Sequence, residues 1–352
     1  MKKVSVVVPC YNASMYLHKC VDHLLTQTIG LENMEIILVD DASTDDGQTW
    51  EIIADYERQY PEAIIAISLP ENLRQGGARN VGVSYASGEY LIFCDADDWL
   101  MNEALEHLYH AALEQNADVV EFVLKGVEDR DIEVCEIETA LKENLLIDLD
   151  SEDNRNYFLM GTDEYLTLSS QKKLYRTSLI KENDIRFAQH LIFEEPSFVI
   201  PVKLYAHRWY FLNETLYICY LSPGSTSRSD WSDRKWDNAN VWLYIIDDLR
   251  KRGILETYLD EIEYLFAHWY LGLTLKSWGQ RGYTFEVSEL RQMQDTVLEL
   301  FPLILYNKYL NYLAKEIRSD VWNDFILRIM DLEISEESTQ AVNQIIRQIC
   351  HK

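Results

Sequence analysis

The stretch Gly88-Glu89-Tyr90-Leu91-Ile92-Phe93-Cys94-Asp95-Ala96-Asp97-Asp98-Trp99 decides how this chain folds. Tyr90–Cys94 is a short, continuous apolar run, as expected for a strand covered on both faces. It stops at three aspartates. Upstream, Arg79–Ala86 reads as a helix, Ala63–Leu69 as a strand and Gln48–Tyr60 as a helix. Ile36–Val39 is a further short strand, stopped by Asp40-Asp41-Ala42-Ser43-Thr44-Asp45. Tyr16–Thr28 carries Leu17, Val21, Leu24 and Leu25 at helical spacing, and Val4–Val8 is again a continuous apolar run. Downstream come a helix over Met101–Gln115 and a strand over Asp118–Val123. Strands alternating with helices predict an α/β fold with a mostly parallel sheet flanked by helices on both faces.

The pattern changes further along. Residues 125–221 read as irregular α+β, and from about Ser229 the chain is almost purely helical. Trp242, Ile245, Ile246 and Leu249 mark one apolar stripe there; Leu265, Trp269, Leu273 and Leu275 mark another. The Ser/Gly/Pro-rich passage Gly224–Ser232 places a boundary at 228, giving domains 1–228 and 229–352, the first divided at 124. A length of 352 residues suits two domains. With 32 Lys+Arg against 59 Asp+Glu, the net charge is −27, and the predicted pI is near 4.6. Hydrophobic residues at 47% exclude general disorder. The acidity argues against nucleic-acid binding, which needs a basic footprint, and against docking on an anionic membrane.

The start Met1-Lys2-Lys3 followed by Val4–Val8 reads as a first strand rather than a leader, since the run is short and no cleavage site follows. The apolar stretch Tyr264–Trp278 is too short to span a bilayer, so no transmembrane segment is expected. The six cysteines are scattered without metal-type spacing, which favours a reduced, cytoplasmic location.

Three polar clusters follow consecutive strands: Pro9-Cys10-Tyr11-Asn12, Asp40-Asp41-Ala42-Ser43 and Asp95-Ala96-Asp97-Asp98. Ligands of open α/β sheets sit outside the carboxyl ends of strands. Singly, each cluster could be a turn, a helix cap or a solvated loop. Together they point to one site. Aspartates two apart in an extended segment project to the same side and suit a hard cation, Mg²⁺ or Mn²⁺. No phosphate-binding loop and no Gly-x-Gly-x-x-Gly is present. A metal bridging a nucleotide diphosphate would take the place of that cradle.

These motifs resemble family-2 glycosyltransferases of the GT-A fold. The resemblance rests on Val-Val-Val-Pro-Cys-Tyr-Asn at 6–12, Ile-Leu-Val-Asp-Asp-Ala-Ser-Thr-Asp at 37–45, Gly-Gly-Ala-Arg-Asn-Val-Gly at 76–82 and the stretch 88–99. It continues more weakly through Lys173-Leu174-Tyr175-Arg176, Phe193-Glu194-Glu195 and Pro223–Ser227, covering about residues 1–228. The resemblance implies a GT-A sheet with a nucleotide-binding half, 1–124, and an acceptor half, 125–228, followed by an all-α domain. It implies metal-dependent, inverting transfer of a sugar from a nucleotide-sugar, a UDP-sugar first among them. The acceptor would be a hydroxyl of a carbohydrate, a lipid-linked molecule or a protein, in bacterial-type surface polysaccharide synthesis. The helical domain would present the acceptor or join copies into a homo-oligomer.

The resemblance also implies roles. Pro9 and Tyr11 would line the base pocket, and Asp41 would accept the uracil N3 hydrogen. Asp95 would face the ribose or sugar, Asp97 would ligate Mn²⁺ or Mg²⁺, and Arg79 would lie near the nucleotide, its alternative being a salt bridge at a helix N-terminus. Asp98 would orient the loop or face the sugar. The general base is usually the Asp of a Glu-Asp pair; here that position holds Glu195, one methylene longer. Since ~1 Å of misplacement can cost ~100-fold in rate, the departure matters. Rivals are Glu194, His190, or no base in a nucleotide-binding partner protein that has lost transfer. Trp99 could pack under the acceptor sugar or sit in the core, and Arg228 could close over the diphosphate. Tyr217 and Tyr220 read as core. A nucleotidyltransferase is disfavoured by the missing glycine-rich first loop. A haloacid-dehalogenase-like phosphatase is disfavoured by the late position of Asp95-Ala96-Asp97.

Overall fold

The computed structural model describes residues 2–132, 134, 137–139, 143–160, 167–221, 234–313 and 321–350. The chain divides into two compact units, Met1–Trp231 and Ser232–Lys352. The first unit is built on one sheet. Its elements in order are β1 (Val4–Cys10), α1 (Leu17–Leu25), β2 (Met34–Asp40), α2 (Gln48–Gln59), β3 (Ile64–Ser68), α3 (Arg74–Tyr85), β4 (Tyr90–Phe93) and β5 (Trp99–Leu100). There follow α4 (Ala104–Glu114), β6 (Val119–Val127), β7 (Leu145–Asp148), α5 (Glu152–Leu159), β8 (Lys173–Arg176), α6 (Thr177–Glu182), α7 (Glu195–Tyr205) and β9 (Arg208–Tyr220).

The sheet runs β3-β2-β1-β4-β8-β6-β9-β5, with β7 also pairing β9. Strands β1 to β4 are parallel, as their alternation with helices requires. The sheet then becomes mixed. β8 enters between β4 and β6 antiparallel to both, and β6 pairs β9 in parallel. Between β6 and β8 the chain passes through β7 and α5, and β8 therefore comes back to the sheet from the far side of β9.

Both faces of the sheet are covered. Val4, Val6 and Val8 of β1 pack with Leu17, Val21 and Leu24 of α1 and Leu105 and Leu108 of α4. Val7 packs on the opposite face with Ala78 and Val83 of α3 and Phe198 of α7. Alternate residues therefore serve opposite cores, so a nearly continuous apolar run is what the fold demands; the one polar residue within Val4–Val8, Ser5, is buried and donates to Glu35 of β2. Pro9 lies beyond the pairing of β1 with β4, which ends at Val7↔Phe93, so its missing N–H breaks no ladder on that side.

Helix α3 begins at Arg74, five residues before the Arg79 predicted from sequence. Gly76 and Gly77 suggest a loop by propensity, yet both are buried inside the helix. Packing overrides propensity there. A Cβ on Gly82 would stand 2.3 Å from Val7 Cγ1, and one on Gly76 would stand 2.4 Å from Ala188 O and 2.7 Å from Glu194 Cγ. The helix can lie on β1 and against the Glu194 segment only without those side chains.

The second unit is helical: α8 (Asp237–Lys251), α9 (Leu259–Phe266), α10 (Thr274–Gln280), α11 (Val287–Leu300), α12 (Lys308–Leu313), α13 (Val321–Met330) and α14 (Glu336–Cys350). The stripe Trp242, Ile245, Ile246 and Leu249 of α8 is buried, as its spacing predicts. A wide π-helical segment, Ala267–Leu273, joins α9 to α10. Among the described residues no helix is long and apolar enough to cross a membrane. Cys10, Cys20, Cys94, Cys219 and Cys350 are free thiols, and Cys135 lies outside the described residues.

Lys203 of α7 is 1% exposed, and burial pushes its ammonium down to about 8, opposed by the charge of Glu121. The unfolded chain holds that proton to higher pH, so stability rises as pH rises from about 8 toward the ordinary lysine value. Lys203→Met is expected to stabilise the chain at pH 7 by roughly 1–3 kcal/mol, measured by urea denaturation. The gain over the unsubstituted chain should shrink above pH 8; a constant gain from pH 7 to 10 would contradict this account.

Candidate active site

Strands β2, β1 and β4 are neighbours running in one direction; β2 and β1 end together with Cys10 beside Asp40, and β4 ends at Phe93 beside Val7. The three polar clusters therefore leave one edge of the sheet. The first two are stitched together. The Asn12 N–H donates to Ser43 Oγ (2.9 Å), and the Thr44 N–H donates to Asn12 Oδ1 (2.7 Å). The Asp41 N–H donates to the Cys10 carbonyl (2.8 Å). Asn12 and Ala42 sit at φ 50° and 57°, the left-handed region that tight loop geometry imposes on them. Tyr11 is left 46% exposed at this edge, while Pro9 is buried.

Asp41 is buried, and its Oδ1 accepts the Leu73 N–H (2.7 Å). Burial pushes its carboxyl up to about 6, against the pull of the Leu73 and Arg74 amides. A carboxylate has lone pairs to accept more than one N–H.

The third cluster is held from below. Tyr217 Oη donates to Asp98 Oδ2 (2.7 Å) and accepts the Asp95 N–H (3.0 Å); the Tyr220 N–H donates to Asp98 Oδ1 (2.8 Å). Asp98 is thus buried and spent on the loop's own geometry. Asp97 is half-buried and takes no hydrogen bond from a side chain among the described residues. Burial, with Asp95 nearby, pushes both Asp97 and Asp98 up from the ordinary aspartate range. The charge of Arg130 opposes the rise at Asp97.

Arg79 forms ion pairs inside the protein. It is fully buried, and its terminal nitrogens reach Asp95 Oδ1 (2.7 Å) and Glu194 Oε1 (2.6 Å). Its guanidinium lies over the rings of Phe187 and Phe93, at 5.4 and 5.9 Å. It links two carboxylate-bearing loops and presents no charge to a nucleotide phosphate. Glu194 is committed to it in turn. Burial pushes Glu194 up to about 7, and the Arg79 charge pulls it back.

Glu195 opens α7 and stays half-buried. Its Oε1 accepts both the N–H (2.8 Å) and the hydroxyl (3.0 Å) of Ser170. The adjacent Gln171 donates from Nε2 to Asp95 Oδ2 (2.9 Å). His190 is exposed at φ 60°, on the loop before α7. Trp99 is 1% exposed, in β5, with Lys19 Nζ 3.6 Å above its ring and His23 beside it. It is a core residue and offers no face to an acceptor. Arg228 lies outside the described residues.

Sequence reading missed Ser170, Gln171 and Tyr217 as parts of the site. Tyr217 reads as core and is core; only its antiparallel pairing with Leu100 aims the hydroxyl at Asp98. Ser170 and Gln171 precede the Lys173-Leu174-Tyr175-Arg176 motif but carry no spacing signal of their own.

The family model described as "Glycosyl transferase family 2" matches residues 5–154. Glycosyltransferase GlyG of Streptococcus pneumoniae is 31% identical over 266 residues, 71% of this chain and 82% of that protein. The chain belongs to glycosyl transferase family 2. A poly(ribitol-phosphate) beta-glucosyltransferase of Bacillus spizizenii is 33% identical over 189 residues, 54% of this chain. The chain spans only 27% of that protein's length, and 33% of the length of another relative, glycosyltransferase GlyA of S. pneumoniae. Among solved structures, S. aureus TarS 1–349 in complex with UDP matches with a TM-score of 0.69 at 25% identity, covering 98% of this chain and 91% of that one. The GT-A-type fold expected from the motifs agrees with this match.

Arg79→Met would strand Asp95 and Glu194 without their shared counter-charge. Losing one member of a buried ionic set costs about 3–5 kcal/mol. Denaturant midpoints should show that loss, and Arg79→Met combined with Glu194→Leu should recover part of it. A double variant no more stable than the single one would refute the pairing.

Proposed function

We propose that this chain transfers a sugar from a UDP-sugar to a hydroxyl of a bacterial surface polymer, with inversion at the anomeric carbon. One observation carries the reading: Tyr11, Asp41 and Asp97 stand on loops that leave one sheet edge, and Arg79 ties the Asp97 loop, through Asp95, to Glu194, the residue before Glu195. Family membership and the UDP-bound structural relative support it.

The roles follow from exposure and free valence. Tyr11 offers a ring face for a base to stack on. Asp41 accepts the uracil N3 hydrogen with lone pairs beyond those that hold the backbone amide of Leu73. Asp95 faces the donor with its remaining lone pairs. Its two oxygens are each held by one protein donor, so its orientation does not depend on the ligand. Glu195 takes the proton from the attacking hydroxyl at Oε2, its other oxygen being held by Ser170.

The acidic loop fits a divalent cation of the Mg²⁺ or Mn²⁺ kind. Among the described residues no cluster of three metal-type side chains occurs. One free carboxylate, Asp97, with diphosphate oxygens and water completing the shell, is the arrangement such cations accept. Bound there, the metal would neutralise charge on the departing diphosphate.

Poly(ribitol phosphate) is the first acceptor to test, because a relative is named for glucosylating it. UDP release should be measured with UDP-glucose and UDP-N-acetylglucosamine, Mn²⁺ present or chelated, with and without that polymer. Turnover is expected to need the metal and to drop at least ~100-fold in Asp97→Ala and in Glu195→Gln. Unchanged turnover in Glu195→Gln would remove the base assignment. UDP binding retained without turnover under any acceptor would favour the reading as a binding partner that has lost transfer.

Asp41 makes a separate prediction. Uridine carries no phosphate, so its affinity isolates the base pocket. Affinity is expected to fall as pH drops through about 6, where Asp41 takes up a proton. Asp41→Asn should abolish that dependence in calorimetric titrations; a pH-dependent Asn variant would refute the contact.

A further inference from the structure

Ser170 and Gln171 are adjacent in the chain, yet they hold carboxylates from different loops. Ser170 is fully buried and directs both its donors at one atom, Glu195 Oε1. Among the described residues no donor reaches Glu195 Oε2. Gln171 gives its Nε2 to Asp95 Oδ2 (2.9 Å), and its Oε1 accepts the Ser169 hydroxyl (2.6 Å). A hydroxyl donor on the carbonyl oxygen fixes which end of the amide faces Asp95.

The segment carrying them is itself anchored on buried groups. Tyr175 Oη donates to the Ser170 carbonyl (3.0 Å), and Lys173 Nζ donates to the Ser169 carbonyl (2.5 Å). Lys173 is fully buried and paired with Glu121 (3.1 Å), whose other oxygen accepts the Trp209 indole N–H (3.1 Å). The Thr167 N–H and hydroxyl both donate to Glu121 Oε1 (3.2 Å). Strands β6, β8 and β9 thus hold a short turn rigidly, and the turn holds two site carboxylates.

We propose that Ser170 and Gln171 are positioning residues of sugar transfer: Ser170 orients Glu195 with Oε2 turned to the acceptor, and Gln171 orients Asp95 toward the donor. The proposal rests on the functional reading above. Neither residue needs to touch a substrate. Glutamate is one methylene longer than the aspartate common in the family at this position. A donor pair clamped on one oxygen removes the rotational freedom that the extra methylene adds.

Because the two residues serve different carboxylates, their loss should move different kinetic constants. UDP release by the full chain would be followed with UDP-glucose and UDP-N-acetylglucosamine, in Mn²⁺ and with poly(ribitol phosphate). Ser170→Ala keeps the backbone donor and is expected to lower kcat about 10-fold, with the donor KM within about 2-fold. Gln171→Leu is expected to raise the donor KM several-fold with a smaller change in kcat. In a Glu195→Gln background Ser170→Ala should cost no further rate, since its effect passes through Glu195. Ser170→Thr, which keeps the hydroxyl, should restore kcat; if Ser170→Ala does not fold, Ser170→Cys replaces it with the same expected split.

Equal effects of both substitutions on kcat and KM would overturn the proposal. So would a Ser170→Ala loss that persists in full beside Glu195→Gln. No UDP release from either donor by the unsubstituted chain would sink the functional reading and this inference with it. Normal turnover with an inert Ser170→Ala would sink the inference alone.

Discussion

A guanidinium with no solvent around it joins the two halves of this site. Arg79 reaches Asp95 on one side and Glu194 on the other, at 2.7 and 2.6 Å. A buried cation of this kind is tolerable only if its counter-charges arrive with good geometry. That requirement explains the sequence around it. Gly76 opens the space in which the Glu194 segment lies against α3, one turn before Arg79. The rings of Phe93 and Phe187 flank the charge and keep water out. Once Arg79 is paired, the aspartate loop after β4 and the start of α7 cannot move independently.

The same logic governs the rest of the rim. The acidic loop concentrates Asp95, Asp97 and Asp98 in a protein that already carries a net charge of −27. Two of the three are neutralised or clamped by the protein: Asp95 by Arg79 and Gln171, Asp98 by Tyr217 and Tyr220. Asp97 is the carboxylate left to meet something from outside. The carboxyls of Asp41 and Asp97 are both raised by burial, which disfavours their charged forms. A ligand that brings an N–H to one and a cation to the other relieves both.

Much of this was legible without coordinates. The apolar runs at β1, β2 and β4 and the polar clusters after them locate these strands and the edge where they end, because a strand serving two cores is mostly apolar until it emerges; Ser5 and Glu35 are the exceptions, and they bond each other. The start of α3 was misread, since Gly76 and Gly77 look like a loop until the Glu194 segment is seen packed against them. Arg79 looks like a phosphate ligand in a motif and turns out to be an internal tie. Trp99 could have lined a sugar site; pairing of β5 with β9 buries it instead. Ser170, Gln171 and Tyr217 carry no local pattern that separates them from ordinary turn and core residues.

Local sequence therefore determined the strands of the parallel half, roughly where they end and which side chains stand at those ends. Periodicity and run length express interactions between neighbours a few residues apart, and those are present in any window of the chain. Tertiary structure alone decided which carboxylates are free. Arg79 meets Glu194 across 115 residues, Tyr217 meets Asp98 across 119 and Gln171 meets Asp95 across 76. Partners so distant are chosen by strand order and by the packing of helices on the sheet. Whether a carboxylate is spent on the protein or left for a ligand is a property of that packing.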